Sequence, residues 1–267
     1  SEIKALLQSP EVPRALDPAA IREYLAFNYV LAPRTLLSAV RALSPGHAAT
    51  VSVGADLQVR PYWHLPNYID APEKTERDQV ERVRDLLRAA VRRRLRSDVP
   101  LGAFLSGGID SATVVALMGE LGVESLRTFS VGFDEPTGTY SELRYARLAA
   151  GASGAVHREF TVTPHLETVL PQLVWHSDQL VADPAAFPLF LLAREAKTQV
   201  TTVLTGDGGD EVFGGYDTNI AHQLAERFRR WPGLIRRAAH LCAAALPPSR
   251  GRMGLAFRAK RFVRGAE

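Results

Sequence analysis

One cysteine, Cys242, stands in a chain of 267 residues. A lone thiol builds no disulfide framework and no Cys-rich metal site. Its place in an Ala/Leu-rich run reads as core packing. No window approaches the roughly 18 apolar residues of a membrane helix. The opening Ser1-Glu2-Ile3-Lys4 does not have the basic-then-apolar layout of a signal peptide. These absences set the expectation of a cytoplasmic protein. Histidines lack metal spacing as well: His64, His157 and His176 form no HxxH or HxxxH pattern and read as hydrogen-bonded structural residues. Trp63, Trp175 and Trp231 read as packing residues.

What is present is ordinary in bulk and uneven in detail. The chain is 46% hydrophobic and 23% charged, with a formal net charge of +3, values of a globular protein. Positive charge gathers in "RAAVRRRLR" at 88–96 and again over 227–264. Without interleaved aromatic residues these runs read as solvated arginine faces, and no nucleic-acid partner is expected.

Residues 1–64 read as a short α+β part. "SEIKALLQS" and "DPAAIREYLAF" have helical patterns, the second with Asp17 as N-cap and Pro18 in the first turn. Residues 49–53 and 57–62 read as a hairpin around Gly54-Ala55-Asp56. Residues 65–77 read as a linker and 78–267 as a second domain. That domain opens with a helix ending near Ser97, whose apolar stripe is Val80, Val83, Leu86, Leu87, Ala90, Val91 and Leu95. Strands at 101–105, 126–133, 157–162 and 200–206 then alternate with helices at 110–121, 140–152, 165–176 and 187–198. Such alternation predicts an α/β fold, a doubly wound parallel sheet with helices on both faces. Ligands of such sheets sit beyond the carboxyl ends of the strands.

Two loops fall there. "FLSGGIDSATVV", 104–115, places Gly107 and Gly108 between an apolar strand and a helix. Glycines there give positive φ and close backbone approach, and backbone N–H groups at a helix N-terminus form an anion nest. Ser106 and Ser111 add hydroxyls. Asp110 beside a phosphate is reconciled by a bridging Mg²⁺. The loop lacks the Walker A lysine and the GxGxxG spacing; the simpler alternative is a tight turn with Asp110 as a cap. The second loop, "VLTGDGGDEVFGGY" at 203–216, sets Asp207, Asp210 and Glu211 among glycines. It does not have the ligand spacing of a calcium loop.

"SGGIDS" is similar to the pyrophosphatase loop of N-type ATP pyrophosphatases, a group that includes GMP and NAD synthetases and tRNA-thiolating enzymes. With "TGDGGDEVFGGY", "TFSVGF", "YSELRYARLAA" and "DPAAFPLFLLAREA", residues 78–220 resemble the synthetase domain of glutamine-dependent asparagine synthetases. "SEIKALL" and the hairpin resemble the last part of that family's N-terminal glutaminase domain. The resemblance implies an adenine nucleotide alpha hydrolase-like fold. It implies ATP- and Mg²⁺-dependent adenylation of the aspartate side-chain carboxylate, then amidation by ammonia to give asparagine, AMP and pyrophosphate. Ser106, Gly107, Gly108, Asp110 and Ser111 would hold pyrophosphate. Phe104, Val131, Thr205 and Gly206 would line the adenosine site, and Asp110 and Asp210 would bind Mg²⁺. Asp207 stands where many members carry Glu, near the substrate amine or the ammonia; with Asp210 and Ser106 it makes up the expected catalytic set. The family's N-terminal cysteine nucleophile and its C-terminal Arg-x-Pro-Phe-Leu-Asp segment are not in the sequence. The expectation is therefore a chain short at both ends, without glutaminase activity, fed ammonia from elsewhere. Small carboxylates other than aspartate, as in β-lactam-forming or glycan- or peptide-modifying relatives, a nucleotide-binding role without turnover, and a homodimer are left open.

Overall fold

A computed structural model describes residues 2–65, 75–133, 142–162, 166–247 and 254–265. Residues 66–74, most of the expected linker, lie outside the described residues, as do 140–141 and 165 at the starts of two expected helices. Two compact units are present, Ser1–Thr205 and Gly206–Glu267.

The first unit begins with α1 (Ile3–Leu6) and α2 (Pro18–Phe27). The Asp17 carboxylate accepts the Ala19 N–H at 2.8 Å, and Asn28 ends α2 in the left-handed region, as the cap signals require. Strands β1 (His47–Thr50) and β2 (Gln58–Pro61) pair antiparallel. The first strand begins two residues before the expected one, because the chain leaves the ladder at Val51 and a longer connection spans the glycine turn.

Helix α3 (Glu76–Arg94) starts with a reciprocal capping box between Thr75 and Asp78, and three arginines in its last turn suit the helix dipole. It stops three residues before Ser97. Only the carboxyl-terminal half of its apolar stripe meets a core: Val91 is buried and Leu87 and Leu95 pack beside it, whereas Val80, Val83 and Leu86 stay exposed. The arginine face is solvated as expected, with Arg84 and Arg88 pairing with Glu120.

The alternating part follows as β3 (Leu101–Phe104), α4 (Ile109–Glu120), β4 (Arg127–Phe133), α5 (Leu143–Ala152), β5 (Val156–Val162), α6 (Leu166–Ser177), α7 (Ala186–Ala196) and β6 (Thr202–Leu204). The four strands form one parallel sheet in the order β5-β4-β3-β6. Side chains alternate across it. Ala103, Leu105 and Leu204 pack with Val91, Val115, Met118, Ala146 and Ala150 under α3, α4 and α5. Phe104, Phe129, Val131 and Phe160 pack with Leu192 and Ala196 under α7. Helices on both faces make the sheet doubly wound. From β3 the chain steps to β4 and β5, then returns to the opposite side of β3 as β6. Strand order therefore reverses between β3 and β6, the place where such sheets bind ligands.

The second unit holds α8 (Gly209–Phe213), α9 (Asp217–Arg229), α10 (Gly233–Ala245) and α11 (Leu255–Gly265). Phe228 anchors it, with Ala225 buried beside it and the Trp231 and Phe262 rings at 5.5 and 5.8 Å. Cys242 faces solvent on α10 rather than lying in a core. An Ala-rich helix needs only one buried stripe, and Ala243 supplies it. Among the described residues no helix is long and apolar enough to cross a membrane.

Candidate nucleotide site

The loop between β3 and α4 stands at the reversal of strand order. Leu105 still pairs as a strand residue, its N–H donating to Phe129 O at 2.9 Å. The chain then turns sharply. Gly107 has φ +94°, and a Cβ there would come within 2.6 Å of Glu142 O and 3.1 Å of Ala146 N at the start of α5. Both the backbone angle and the close approach demand glycine. Gly108, expected to share the positive φ, has φ −72° instead and is the N-cap of α4. Having no side chain, it gives no cap, so the first N–H groups of α4 have no intrahelical partner. They and the helix dipole favour an anion at this end of the loop.

The serines hold the loop in shape. The Ser106 N–H donates to Ser111 Oγ at 3.2 Å, the two hydroxyls lie 3.0 Å apart, and the Gly108 N–H donates to Ser106 Oγ at 3.2 Å. Ser111 is buried and its hydroxyl also donates to Gly108 O at 3.2 Å. Ser111 thus acts as the brace of the nest, while Ser106 stands at its exposed rim. Asp110 occupies the second helical position, half-buried. Phe104 ends β3, Val131 lies two residues before the end of β4, and both pack, half-buried, toward the α7 face. Thr205 follows β6 directly. Ser106, Gly107, Gly108, Asp110 and Ser111 are thus brought together in one turn, with Phe104, Val131 and Thr205 at or near the strand ends of the same unit. Among the described residues no three His, Cys, Asp or Glu side chains converge as a metal cage. The single carboxylate of Asp110 suits a cation that arrives already coordinated by phosphate oxygens.

Residues 82–264 match the family model described as Asparagine synthase. The chain belongs to the asparagine synthase family. Residues 1–63 match a second model, a glutamine amidotransferase domain. The glutamine-hydrolyzing asparagine synthetase 1 of Bacillus subtilis is 38% identical over 234 residues, covering 87% of this chain and 36% of that protein. The glutamine-hydrolyzing asparagine synthetase 3 of the same organism is 30% identical over 232 residues, 81% of this chain and 37% of the relative. The amidase chyE of Penicillium rubens is 30% identical over 263 residues, 87% and 39%. The chain thus spans well under half the length of the curated relatives it matches.

In this family member, Gly206, Asp207 and Asp210 belong to the second unit. Gly208 has φ +92° and opens α8; Asp207 is exposed and Asp210 half-buried in the first turn of that helix. Gly215 gives Asp210 its room: its N–H donates to Asp210 O at 3.0 Å, and a Cβ there would lie 2.1 Å from Asp210 Oδ1. The Tyr216 hydroxyl donates to Glu211 at 2.6 Å and holds that carboxyl below its usual value.

Other sequence-based expectations divide. His157 is hydrogen-bonded and 11% exposed, and His176 lies against the Phe190 ring. The three tryptophans are each more than half exposed rather than packed away: Trp231 touches Phe228, and Trp175 lies under the Lys4 ammonium, 5.4 Å from its ring centroid. A cavity of about 510 Å³ opens beside β5, lined by Phe160, Thr161, Val169, Leu191 and Arg194 among others; none of the sequence-predicted residues lines it. Sequence reading passed over Ser130 and took His157 only as a structural residue. Their signal was polar residues at every second position, Thr128-x-Ser130 in β4 and His157-x-Glu159 in β5.

Proposed function

We propose that this chain provides the synthetase part of a glutamine-dependent asparagine synthetase, binding Mg-ATP at the Ser106–Ser111 loop. The observation that carries the reading is that loop: a braced, glycine-turned nest at an uncapped helix N-terminus, at the reversal of strand order. The family match over 82–264 supports the chemistry, and the match over 1–63 supports glutamine as the nitrogen source.

In this reading the β- and γ-phosphates rest on the N–H groups at the start of α4, with Ser106 at their side. Phe104, Val131 and Thr205 line the adenosine side of the site. An oxygen of the aspartate side chain attacks the α-phosphorus and pyrophosphate leaves. Ammonia then attacks the acyl carbon and AMP leaves. Asp110 would hold Mg²⁺, which when bound supplies positive charge beside the phosphates, and Asp210 is the second carboxylate proposed for the reaction. Asp207 orients the amine or the entering ammonia. Holding ATP and aspartate together contributes up to roughly 7–11 kcal/mol of the barrier reduction, and N–H groups fixed before the reaction stabilise the leaving pyrophosphate. A cytoplasmic location is part of the proposal.

Aspartate-dependent exchange of pyrophosphate into ATP tests it. Exchange with aspartate, absent with other carboxylates and lost in Asp210→Ala, is expected. Exchange driven by another carboxylate would replace aspartate as the substrate. ATP binding without exchange on any carboxylate would reduce the function of the chain to nucleotide binding.

A further inference from the structure

Thr35, Ser111, Thr128 and Ser130 are the buried polar side chains among the described residues. Thr35 lies in the first 64 residues and Ser111 braces the loop. The other two sit on β4, under the covering helices, where the sheet face is otherwise apolar. The register pairs Thr128 with His157 and Ser130 with Glu159. Thr128 Oγ1 lies 2.9 Å from His157 Nδ1, and Ser130 Oγ lies 3.4 Å from His157 Nε2. The Ser130 hydroxyl donates to Leu105 O. That carbonyl belongs to the peptide that enters the loop, whose N–H is the Ser106 N–H bonded to Ser111. The chain continues outward from His157 Nε2 to Glu159 at 3.5 Å, and Glu159 takes two bonds from Arg147 of α5 at 2.6 and 2.7 Å. Helix α5 is also the element that Gly107 touches.

Counting protons orders this network. Ser130 has one hydroxyl proton and gives it to Leu105 O. Its oxygen can therefore only accept from His157, so Nε2 carries a proton. With Nε2 protonated, the neutral ring leaves Nδ1 as an acceptor for the Thr128 hydroxyl. Every polar atom is then satisfied with an uncharged histidine. A second proton would turn that bond round, with Thr128 Oγ1 accepting from Nδ1–H and its own hydroxyl proton giving up this partner. Burial, the largest influence, and the Arg147 charge both push the His157 pKa below its ordinary value, against the opposing Glu159 charge.

We infer that Ser130 and His157 are positioning residues that fix the entry peptide of the Ser106–Ser111 loop from beneath the sheet, and so tune its grip on the phosphates. The inference deepens the nucleotide reading and rests on it. Neither residue touches the nucleotide. Their removal loosens the loop and weakens the hold on phosphate while leaving the adenosine pocket intact.

The test compares the full chain with Ser130→Ala, His157→Leu and His157→Gln, the last keeping one donor and one acceptor. Hydrogen exchange of the ligand-free chains is read at 106–111, and equilibrium binding is read for Mg-ATP and for adenosine. Ser130→Ala and His157→Leu should exchange faster at 106–111, with α7 unchanged. They should bind Mg-ATP about tenfold more weakly, the worth of one buried hydrogen bond, and adenosine equally well. His157→Gln should recover most of the loss. Unchanged exchange and affinity in Ser130→Ala overturn the inference, as does a parallel fall for ATP and adenosine with a lowered melting temperature. If the unaltered chain binds no Mg-ATP, the nucleotide reading fails, and exchange at 106–111 still decides whether the network fixes the loop.

Discussion

Replacing Gly107 by alanine should damage the protein in two separable ways. Its φ of +94° lies where a side chain is strained, and forcing an L-residue there costs about 1–2 kcal/mol. The added Cβ would also lie 2.6 Å from Glu142 O and 3.1 Å from both Ala146 N and Tyr145 Cβ. Two of these neighbours are backbone and cannot swing aside, so α5 or the loop must move, at the roughly 1–3 kcal/mol of overpacking. Gly154 is the control. It has φ +65°, with nothing within 4 Å of its Cβ position, so Gly154→Ala carries strain alone. Gly107→Ala should therefore cost about 2–5 kcal/mol and Gly154→Ala about 1–2. Urea unfolding followed by circular dichroism reads the difference. With a slope near 2–3 kcal/mol per M, the two midpoints should lie about 0.3–1.5 M apart. Mg-ATP binding should be lost in Gly107→Ala and kept in Gly154→Ala. Equal midpoints for the two variants would refute the close-approach argument, and intact ATP binding in Gly107→Ala would remove the loop from the site.

Gly215→Ala meets the mobile end of the Asp210 carboxylate rather than backbone, so its melting temperature should stay within a degree or two while Mg²⁺-dependent ATP–pyrophosphate exchange falls at least tenfold; unchanged exchange would separate Asp210 from the chemistry. Met118→Ala, at a fully buried position of α4, should lose about 2–5 kcal/mol in urea unfolding, whereas Ile109→Ala, 84% exposed in the same helix, should change stability by less than about 0.5 kcal/mol. The pH profile should have two limbs. His157, ordinarily near 6.5 and lowered by burial, is neutral in the fold, so the unfolded chain takes up the proton first and stability declines as pH falls below about 6.5. Glu159, lowered from 4.5 chiefly by its hydrogen bonds from Arg147, contributes stability present above pH 4.5 and lost as pH falls further. In His157→Gln the upper limb should vanish and the lower one persist; an unaltered decline between pH 7 and 5 would assign that limb to another group.

Much of the site was legible because glycine and short polar residues report backbone demands directly. Gly107 needs its positive φ, Asp17 and Pro18 start α2 where they stand, and the strand–helix alternation fixes a parallel sheet. The departures share one cause, which is that local pattern carries no record of what lies opposite. Gly108 has the same sequence signal as Gly107 but ends as an N-cap, because the turn is complete after one left-handed residue. Val80, Val83 and Leu86 continue the periodic stripe of α3 past the point where the sheet stops beneath it. Cys242 lies in an apolar run, yet only one stripe of that helix is covered. The polar stripe of β4 and β5 is the reverse case. Thr128, Ser130 and His157 keep the polar side of an alternation that by itself predicts a solvated face, yet helices cover that face, and burying them without partners would cost several kcal/mol. They are tolerated because each donor finds an acceptor, and the last of those acceptors is the Leu105 carbonyl that leads into the Ser106–Ser111 loop. A polar stripe on a strand that helices cover on both faces is therefore the signal that points beneath a site rather than into it.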